Sequence, residues 1–257
     1  MDKLQACELF VLDMDGTLYL GDTVLPGAHE FVRRLAETGR RYIYLTNNSS
    51  RSAENYVNRL RGLGFPCERE DVFTSGEASA LYLRENHEGA SVYVVGTQAL
   101  RDELAVHDVR LTEDTPDVVL IGFDTELVYA KLQKAVSFLR HGAVFLAANP
   151  DWVCPIDGGE VLPDCGSICA LLTAATGCKP VFIGKPERRM VDIISRKFRV
   201  PNEHICCVGD RLYTDIAVAV NAGAVSALVL SGETTREMLA ASTLKPDYVF
   251  ASVRDIP

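Results

Sequence analysis

Two carboxylates one residue apart, Asp13 and Asp15, follow the apolar run Leu9-Phe10-Val11-Leu12 and precede Gly16-Thr17. At the end of a buried strand such a pair loses hydration, and an uncompensated buried charge is expensive. Acids are retained in such places when a cation or a reaction requires them. Three further segments share the same grammar of an apolar run ending in a polar group. Tyr42-Ile43-Tyr44-Leu45-Thr46-Asn47-Asn48 ends in a hydroxyl and two amides, and Val181-Phe182-Ile183-Gly184-Lys185-Pro186 ends in a lysine. Ile205-Cys206-Cys207-Val208-Gly209-Asp210 ends in a carboxylate, with Asp215 five residues later. In open α/β sheets, ligands sit just outside the carboxyl ends of the strands. Four strand ends would thus bring acids, a hydroxyl, amides and one ammonium to a single crevice. That inventory suits a phosphate ester together with a divalent cation. A carboxylate nucleophile is ionised at neutral pH and needs no general base to activate it.

The elements that must hold these groups follow from periodicity. Strand 9–13 leads to a helix opened by Pro26, with Phe31, Val32, Leu35 and Ala36 on one face and Gly39 past its end. Strand 42–46 precedes a helix capped by Ser52, with Ala53, Tyr56, Val57 and Leu60 as its apolar stripe. A short strand near 72–74 leads into helix 76–86. From about residue 88 to 180 a smaller α/β pattern repeats. Its clearest part is strand 118–123, a helix 127–140 with Val128, Leu132, Val136 and Leu139 on one face, and strand 144–148. Ser167 is placed to cap a helix over 168–176. The loop Asn149-Pro150-Asp151-Trp152 follows a strand end and is a candidate crevice wall. The core resumes at Val181, and a helix, a turn at Gly223 and strand 225–230 lie near its end. The expected fold is α/β: a Rossmann-like parallel-sheet core of residues 1–87 and 181–257, with an inserted smaller α/β domain over 88–180.

Composition narrows the partners. The formal charge is −9, so the overall field repels an anionic substrate. A phosphate site must therefore build positive potential locally, from a cation, Lys185 and helix N-termini. No Lys/Arg-rich run exists, which argues against a nucleic acid polymer as partner. The start of the chain lacks a basic segment followed by a long apolar one, and the apolar stretch 216–232 is broken by Asn221, Gly223 and Ser226. Neither a secretory signal nor a membrane span is expected, and the cytoplasm is the expected compartment. Eight cysteines without paired C-x2-C spacing read as reduced, mostly buried thiols. The five histidines are scattered and receive no role. Neither G-x-G-x-x-G nor a P-loop is present.

The segments DMDGTLYLGD, LTNNSS, AANPD, IGKP and GDRLYTDI, in this order and spacing, resemble the haloacid dehalogenase (HAD) superfamily phosphatases. The branch they are similar to is typified by NagD-type and 4-nitrophenylphosphatase-like enzymes, and the resemblance covers essentially the whole chain. It implies a HAD core with the 88–180 insertion as a C2-type cap. Asp13 would be the nucleophile, forming an aspartyl phosphate. Asp15 would protonate the leaving group and then take a proton from the attacking water, which asks for a carboxyl raised by its acidic neighbours. Mg2+ would be held by Asp13, the backbone carbonyl of Asp15 and Asp210. Asp215 would act through water or by orienting Lys185. Lys185 and Thr46 would hold the non-transferring phosphoryl oxygens, and Gly16 would let backbone amides approach them. Asn47, Asn48, Asn149 and Asp151 complete the expected substrate contacts.

The resulting expectation is a Mg2+-dependent phosphomonoester hydrolase acting on small phosphorylated metabolites, either sugar phosphates or nucleoside monophosphates, with 4-nitrophenyl phosphate as an artificial substrate. A phosphotransferase or mutase of the same superfamily is one alternative, and a non-enzymatic phosphometabolite-binding regulator is another. Intact Asp13, Asp15, Lys185 and Asp210 argue against the regulator, because binding alone needs neither a nucleophile nor a proton shuttle. Homodimerisation is left open.

Overall fold

The apolar run at residue 9 forms strand β1 (Leu9–Leu12), with all four residues buried. The computed structural model describes residues 2–257. A tight hairpin follows, β2 (Tyr19–Leu20) and β3 (Thr23–Val24), and then α1 (Ala28–Glu37), β4 (Arg41–Thr46) and α2 (Ala53–Gly62). β5 (Val72–Thr74) runs directly into α3 (Ser75–Asn86). Next come β6 (Ser91–Val95), α4 (Gln98–Val106), β7 (Arg110–Leu111), β8 (Val118–Ile121), α5 (Tyr129–Arg140) and β9 (Val144–Ala147). A second hairpin, β10 (Val153–Pro155) and β11 (Val161–Pro163), precedes α6 (Cys165–Thr176) and β12 (Val181–Phe182). The chain ends with α7 (Arg188–Phe198), β13 (Ile205–Gly209), a π turn Leu212–Ile216 continuing into α8 (Ala217–Ala222), β14 (Val225–Val229), α9 (Arg236–Ala241) and β15 (Tyr248–Phe250).

Two packing units result. The first comprises the chain up to Thr46, Glu54–Phe73 and Lys185–Pro257, and the second Asn47–Ala53 and Thr74–Gly184. In the first, six strands form one sheet in the order β15-β14-β13-β1-β4-β5. Numbered by appearance in the sheet, this is the doubly wound order, whose direction reverses between β1 and β13. β1 runs parallel to both neighbours, with Leu9 opposite Ile205 on one side and Arg41 on the other. Both faces of the sheet are covered, so β1 and β13 are apolar throughout rather than alternating.

The second unit has its own parallel sheet, β12-β9-β8-β6-β7. Alternate residues of each strand point to opposite faces. Tyr93, Val95, Val119 and Ile121 pack under α5 and α6, whereas Val92, Val94, Val118 and Leu120 pack with Leu100 and Leu104 of α4 and with Ala80 and Leu83 of α3. Among the described residues no helix is long and apolar enough to cross a membrane. All eight cysteines are free thiols.

Several expectations are corrected. Val181–Phe182 does not resume the first sheet: Val181 pairs with Leu146 and Phe182 with Ala147 in the second sheet, and the chain returns to the first unit only at Lys185. α3 likewise packs into the second unit, so its boundary lies at residue 74 rather than 88. In α1 the buried stripe is Ala28, Phe31, Val32 and Leu35, and Ala36 faces solvent because the helix begins at residue 28 and residue 36 falls beside the stripe. Val128 precedes α5 in an extended conformation and is exposed. α6 is capped by Asp164, whose carboxylate accepts from Cys165 N, and Ser167 instead donates to the carbonyl of Trp152.

Leu100 sits where three glycines leave room for it. A Cβ at Gly96 would stand 2.7 Å from Leu100 Cδ2, and Cβ atoms at Gly76 and Gly122 would also press on this side chain. Leu100→Ala is expected to cost about 2–5 kcal/mol and Gly96→Ala about 1–3 kcal/mol. Chemical denaturation of the double variant should give a loss well below their sum, since the added methyl occupies the vacated space.

Candidate active site

The reversal between β1 and β13 puts the ends of those strands side by side, and Asp13 and Asp210 lie just past them. Asp13 N continues the ladder by donating to the carbonyl of Val208 at 2.9 Å. The Lys185 ammonium donates to Asp13 Oδ1 and to Asp215 Oδ1, each at 2.6 Å. Lys185, Asp210 and Asp215 are buried, while Asp13 keeps 18% of its side-chain surface exposed. Carboxylate oxygens of Asp13, Asp210 and Asp215 lie within 4.8 Å of one another. Two of the three acids therefore share one ammonium.

The electrostatic cost of this imbalance appears in the titration of the acids. Burial, with Asp215 adding to it, pushes the Asp13 carboxyl up to about 7 against the pull of Lys185. Burial and Asp215 likewise push Asp210 up to about 6, against the hydrogen bond from Glu233 N. Burial disfavours the Lys185 charge, but Asp13 and Asp215 outweigh it and hold the ammonium above the ordinary lysine range. A second cation would relieve both acids. The donor set is hard oxygen, which fits a small divalent ion such as Mg2+ better than a soft one.

Local backbone chemistry fixes each acid. Asp210 is pressed between Gly16 and Gly232, where a Cβ on either glycine would land on its carboxylate. Gly16 also has φ +83°, a conformation that side chains other than glycine's rarely tolerate. Asp210 Oδ2 accepts from Glu233 N at 2.6 Å, and Thr17 Oγ1 reaches its other oxygen at 3.5 Å. Ser231 Oγ donates to the Gly16 carbonyl. Asp215 comes from the π turn, and its Oδ2 accepts from Arg211 N at 3.1 Å. π turns recur at functional sites. The contributions of Thr17, Ser231 and the Glu233 amide escape a reading of the sequence, because two act through hydroxyls with many structural uses and one through backbone.

The residues expected at the site divide between the units. Asp13, Thr46, Lys185, Asp210 and Asp215 belong to the first, with Gly16 behind Asp210 and Asp15 exposed on the turn after β1. Thr46 is buried at the end of β4. Asn47, Asn48, Asn149 and Asp151 belong to the second unit. Asp151 Oδ2 accepts from the amides of both Asn47 and Asn149 at 2.8 Å. Asn149 also donates to Asp164 Oδ1 and accepts from Ser49 Oγ, and it has no exposed surface. Both of its amide hydrogens are thus bonded inside the unit. Ser49 further accepts from Phe123 N at 2.8 Å. Burial pushes the Asp164 carboxyl up to about 6, relieved in part by the Cys165 amide and Asn149. Neither Ser49 nor Asp164 stands out in the sequence. Asn48 folds back on Ser50, accepting from its amide and its hydroxyl at 2.8 Å.

An acid-rich switch point of this kind, on this strand order, has counterparts among known proteins. Residues 10–110 match the haloacid dehalogenase-like hydrolase family, and residues 182–256 match a HAD-hydrolase-like family. The 5'-nucleotidase YutF of Bacillus subtilis is 34% identical over 96% of both chains. An acid sugar phosphatase of Staphylococcus saprophyticus is 32% identical over 96% of this chain and 95% of its own. The crystal structure of a 4-nitrophenylphosphatase from Thermotoga maritima superposes with a TM-score of 0.95 at 44% identity, covering 100% of this chain and 98% of the other. The chain belongs to the haloacid dehalogenase-like hydrolases. Within them it falls in the branch of NagD-type and 4-nitrophenylphosphatase-like proteins.

Replacing Lys185 by methionine leaves Asp13 and Asp215 as buried carboxylates without their ammonium. The Asp13 carboxyl then rises further above its unfolded value, so the folded state binds more protons, and stability is lost as pH rises through the folded value. In EDTA the variant should be destabilised by about 3–5 kcal/mol well above pH 7, with the deficit shrinking as pH falls to about 7 and below. Thermal melts across pH read this directly. A deficit independent of pH would show that the ammonium does not hold the acids in their charged form.

Proposed function

We propose that the protein is a Mg2+-dependent phosphomonoester hydrolase of small phosphorylated metabolites that works through an aspartyl phosphate on Asp13. The observation that carries this reading is the Lys185 ammonium bridging Asp13 and Asp215 beside Asp210 at the switch point. The first packing unit is then the catalytic core, and the second supplies the cap.

Asp13 attacks phosphorus in line, its carboxylate forming the acyl phosphate as the alcohol departs. Asp15, exposed on the adjoining turn, gives the departing oxygen its proton and then takes one from the water that splits the intermediate. Lys185 holds a non-transferring oxygen together with Thr46, and Asp215 keeps the ammonium aimed and charged. Asp13, Asp210 and the backbone carbonyl of Asp15 would hold Mg2+, with Asp215 reaching it through water. When bound, the ion offsets repulsion between the carboxylate and the phosphate dianion. Thr17, Ser231 and the Glu233 amide keep Asp210 in place.

The names of the relatives, a 5'-nucleotidase, an acid sugar phosphatase and a 4-nitrophenylphosphatase, support nucleoside monophosphates and sugar phosphates as the substrate class. Phosphate release is to be measured over a panel of both, with 4-nitrophenyl phosphate, in Mg2+ and in EDTA. Release should require the metal and fall by at least about 10³-fold in Asp13→Asn. Turnover without the metal, or full activity in that variant, would refute the mechanism. A phosphorylated acceptor formed when an acceptor alcohol is added, with no phosphate released in its absence, would point to a phosphotransferase.

Protons compete with the ion for the raised carboxyls of Asp13 and Asp210. Mg2+ affinity, measured by calorimetry, should therefore weaken as pH falls from about 8 to about 5. An affinity constant across that range would place the ion elsewhere.

A further inference from the structure

The turn bearing Asp15 is tied to the sheet through Ser231 Oγ, which donates to the Gly16 carbonyl, and through Thr17 Oγ1 to Asp210, and it is tied to the hairpin as well. Asp15 bridges to Tyr19, Gly16 N donates to the carbonyl of Tyr19 at 2.8 Å, and Leu18 N returns to Met14. The turn is thus hydrogen-bonded onto the β2–β3 hairpin, whose strands are two residues each. So short a hairpin is marginal without further support. Burial of Leu18 and Tyr19 supplies part of that support, and one residue of α2 supplies the polar part. Arg59 donates to the carbonyl of Gly21 at 2.7 Å, stands 3.4 Å from the Asp22 carboxylate, and lies over the Tyr19 ring at 5.1 Å from its centroid. Each contact alone is modest. Their convergence on three of the four residues from Tyr19 to Asp22 makes Arg59 a clamp for the hairpin.

We propose that Arg59 is a positioning residue for proton donation, acting through the hairpin to fix the turn that carries Asp15. The proposal rests on the reading of Asp15 as the proton donor. Asp13 is held independently, by the ladder to Val208 and by Lys185, so loosening the hairpin spares the nucleophile. Loss of the clamp should consequently slow departure of leaving groups that need a proton more than of those that do not. An alkyl phosphate such as a sugar phosphate releases an alkoxide unless it is protonated. 4-Nitrophenyl phosphate releases a phenolate that is stable unprotonated.

The test compares kcat and KM for Arg59→Met on a sugar phosphate and on 4-nitrophenyl phosphate, with Asp15→Asn alongside and a thermal melt of each variant. Arg59→Met should lower kcat/KM, which ends at leaving-group departure and excludes hydrolysis of the shared intermediate, about 10- to 100-fold for the sugar phosphate and about twofold for 4-nitrophenyl phosphate. Asp15→Asn should show the same selectivity, more strongly. Arg59→Lys keeps a cation over Tyr19 but lacks the guanidinium fork. It should show the same selectivity with a smaller loss, and it serves in place of the methionine variant if that one does not fold. Equal losses on both substrates would reduce Arg59 to a structural residue and overturn the proposal. Selectivity in Asp15→Asn without selectivity in either Arg59 variant overturns the clamp and leaves the mechanism standing. Absence of selectivity in Asp15→Asn itself overturns both.

Discussion

Three clustered carboxylates, two of them on one ammonium, form the constraint around which the first unit is built. Such an arrangement is unstable unless every remaining lone pair is satisfied or a cation shares the load. The chain meets the first condition with backbone: the amides of Glu233 and Arg211 and the hydroxyl of Thr17 serve Asp210 and Asp215. The glycines at 16 and 232 exist to let that backbone come close. Burial, with Asp215 adding to it, pushes Asp13 up to about 7 and Asp210 up to about 6, and a cation sharing the load would relieve both. Stability and chemistry thus draw on the same charge imbalance. On the proposed mechanism, the residues that make the site reactive are those that make it costly to fold.

The surrounding architecture serves to bring that cluster together from distant parts of the sequence. Asp13 and Lys185 are 172 residues apart. Their meeting depends on β1 lying between β4 and β13, which the doubly wound order guarantees. The second unit interrupts this order without disturbing it, because it leaves after β5 and returns at Lys185. Lys185 therefore follows directly on a strand that belongs to the other sheet.

The sequence made the acids, the lysine and the parallel-sheet core legible because each follows an apolar run of strand length. Where it misled, the cause was physical. Val181-Phe182-Ile183 has the composition of a core strand, and nothing local distinguishes pairing with Leu146 and Ala147 from pairing with β13. Helix 75–86 presents Ala80 and Leu83 to the second unit, but an apolar stripe does not say which sheet it will meet. Asp164 outcompetes Ser167 as a cap because its carboxylate reaches Cys165 N at the true start of the helix. Asn149 follows a strand end, as a ligand contact would, and both of its amide hydrogens are bonded inside the second unit.

The segment LTNNSS is one motif in sequence but two pieces in packing. Thr46 ends a strand of the first unit, whereas Asn47 to Ser50 are bonded to Asp151, Asn149 and Phe123 in the second. Exchange of the second unit between relatives is therefore not a matter of cutting near residues 74 and 184. A graft made at those points would strand seven residues whose amides and hydroxyls are matched to the unit left behind. The transplantable module is discontinuous, and a chimera that keeps its polar bonds intact must carry residues 47–53 with it.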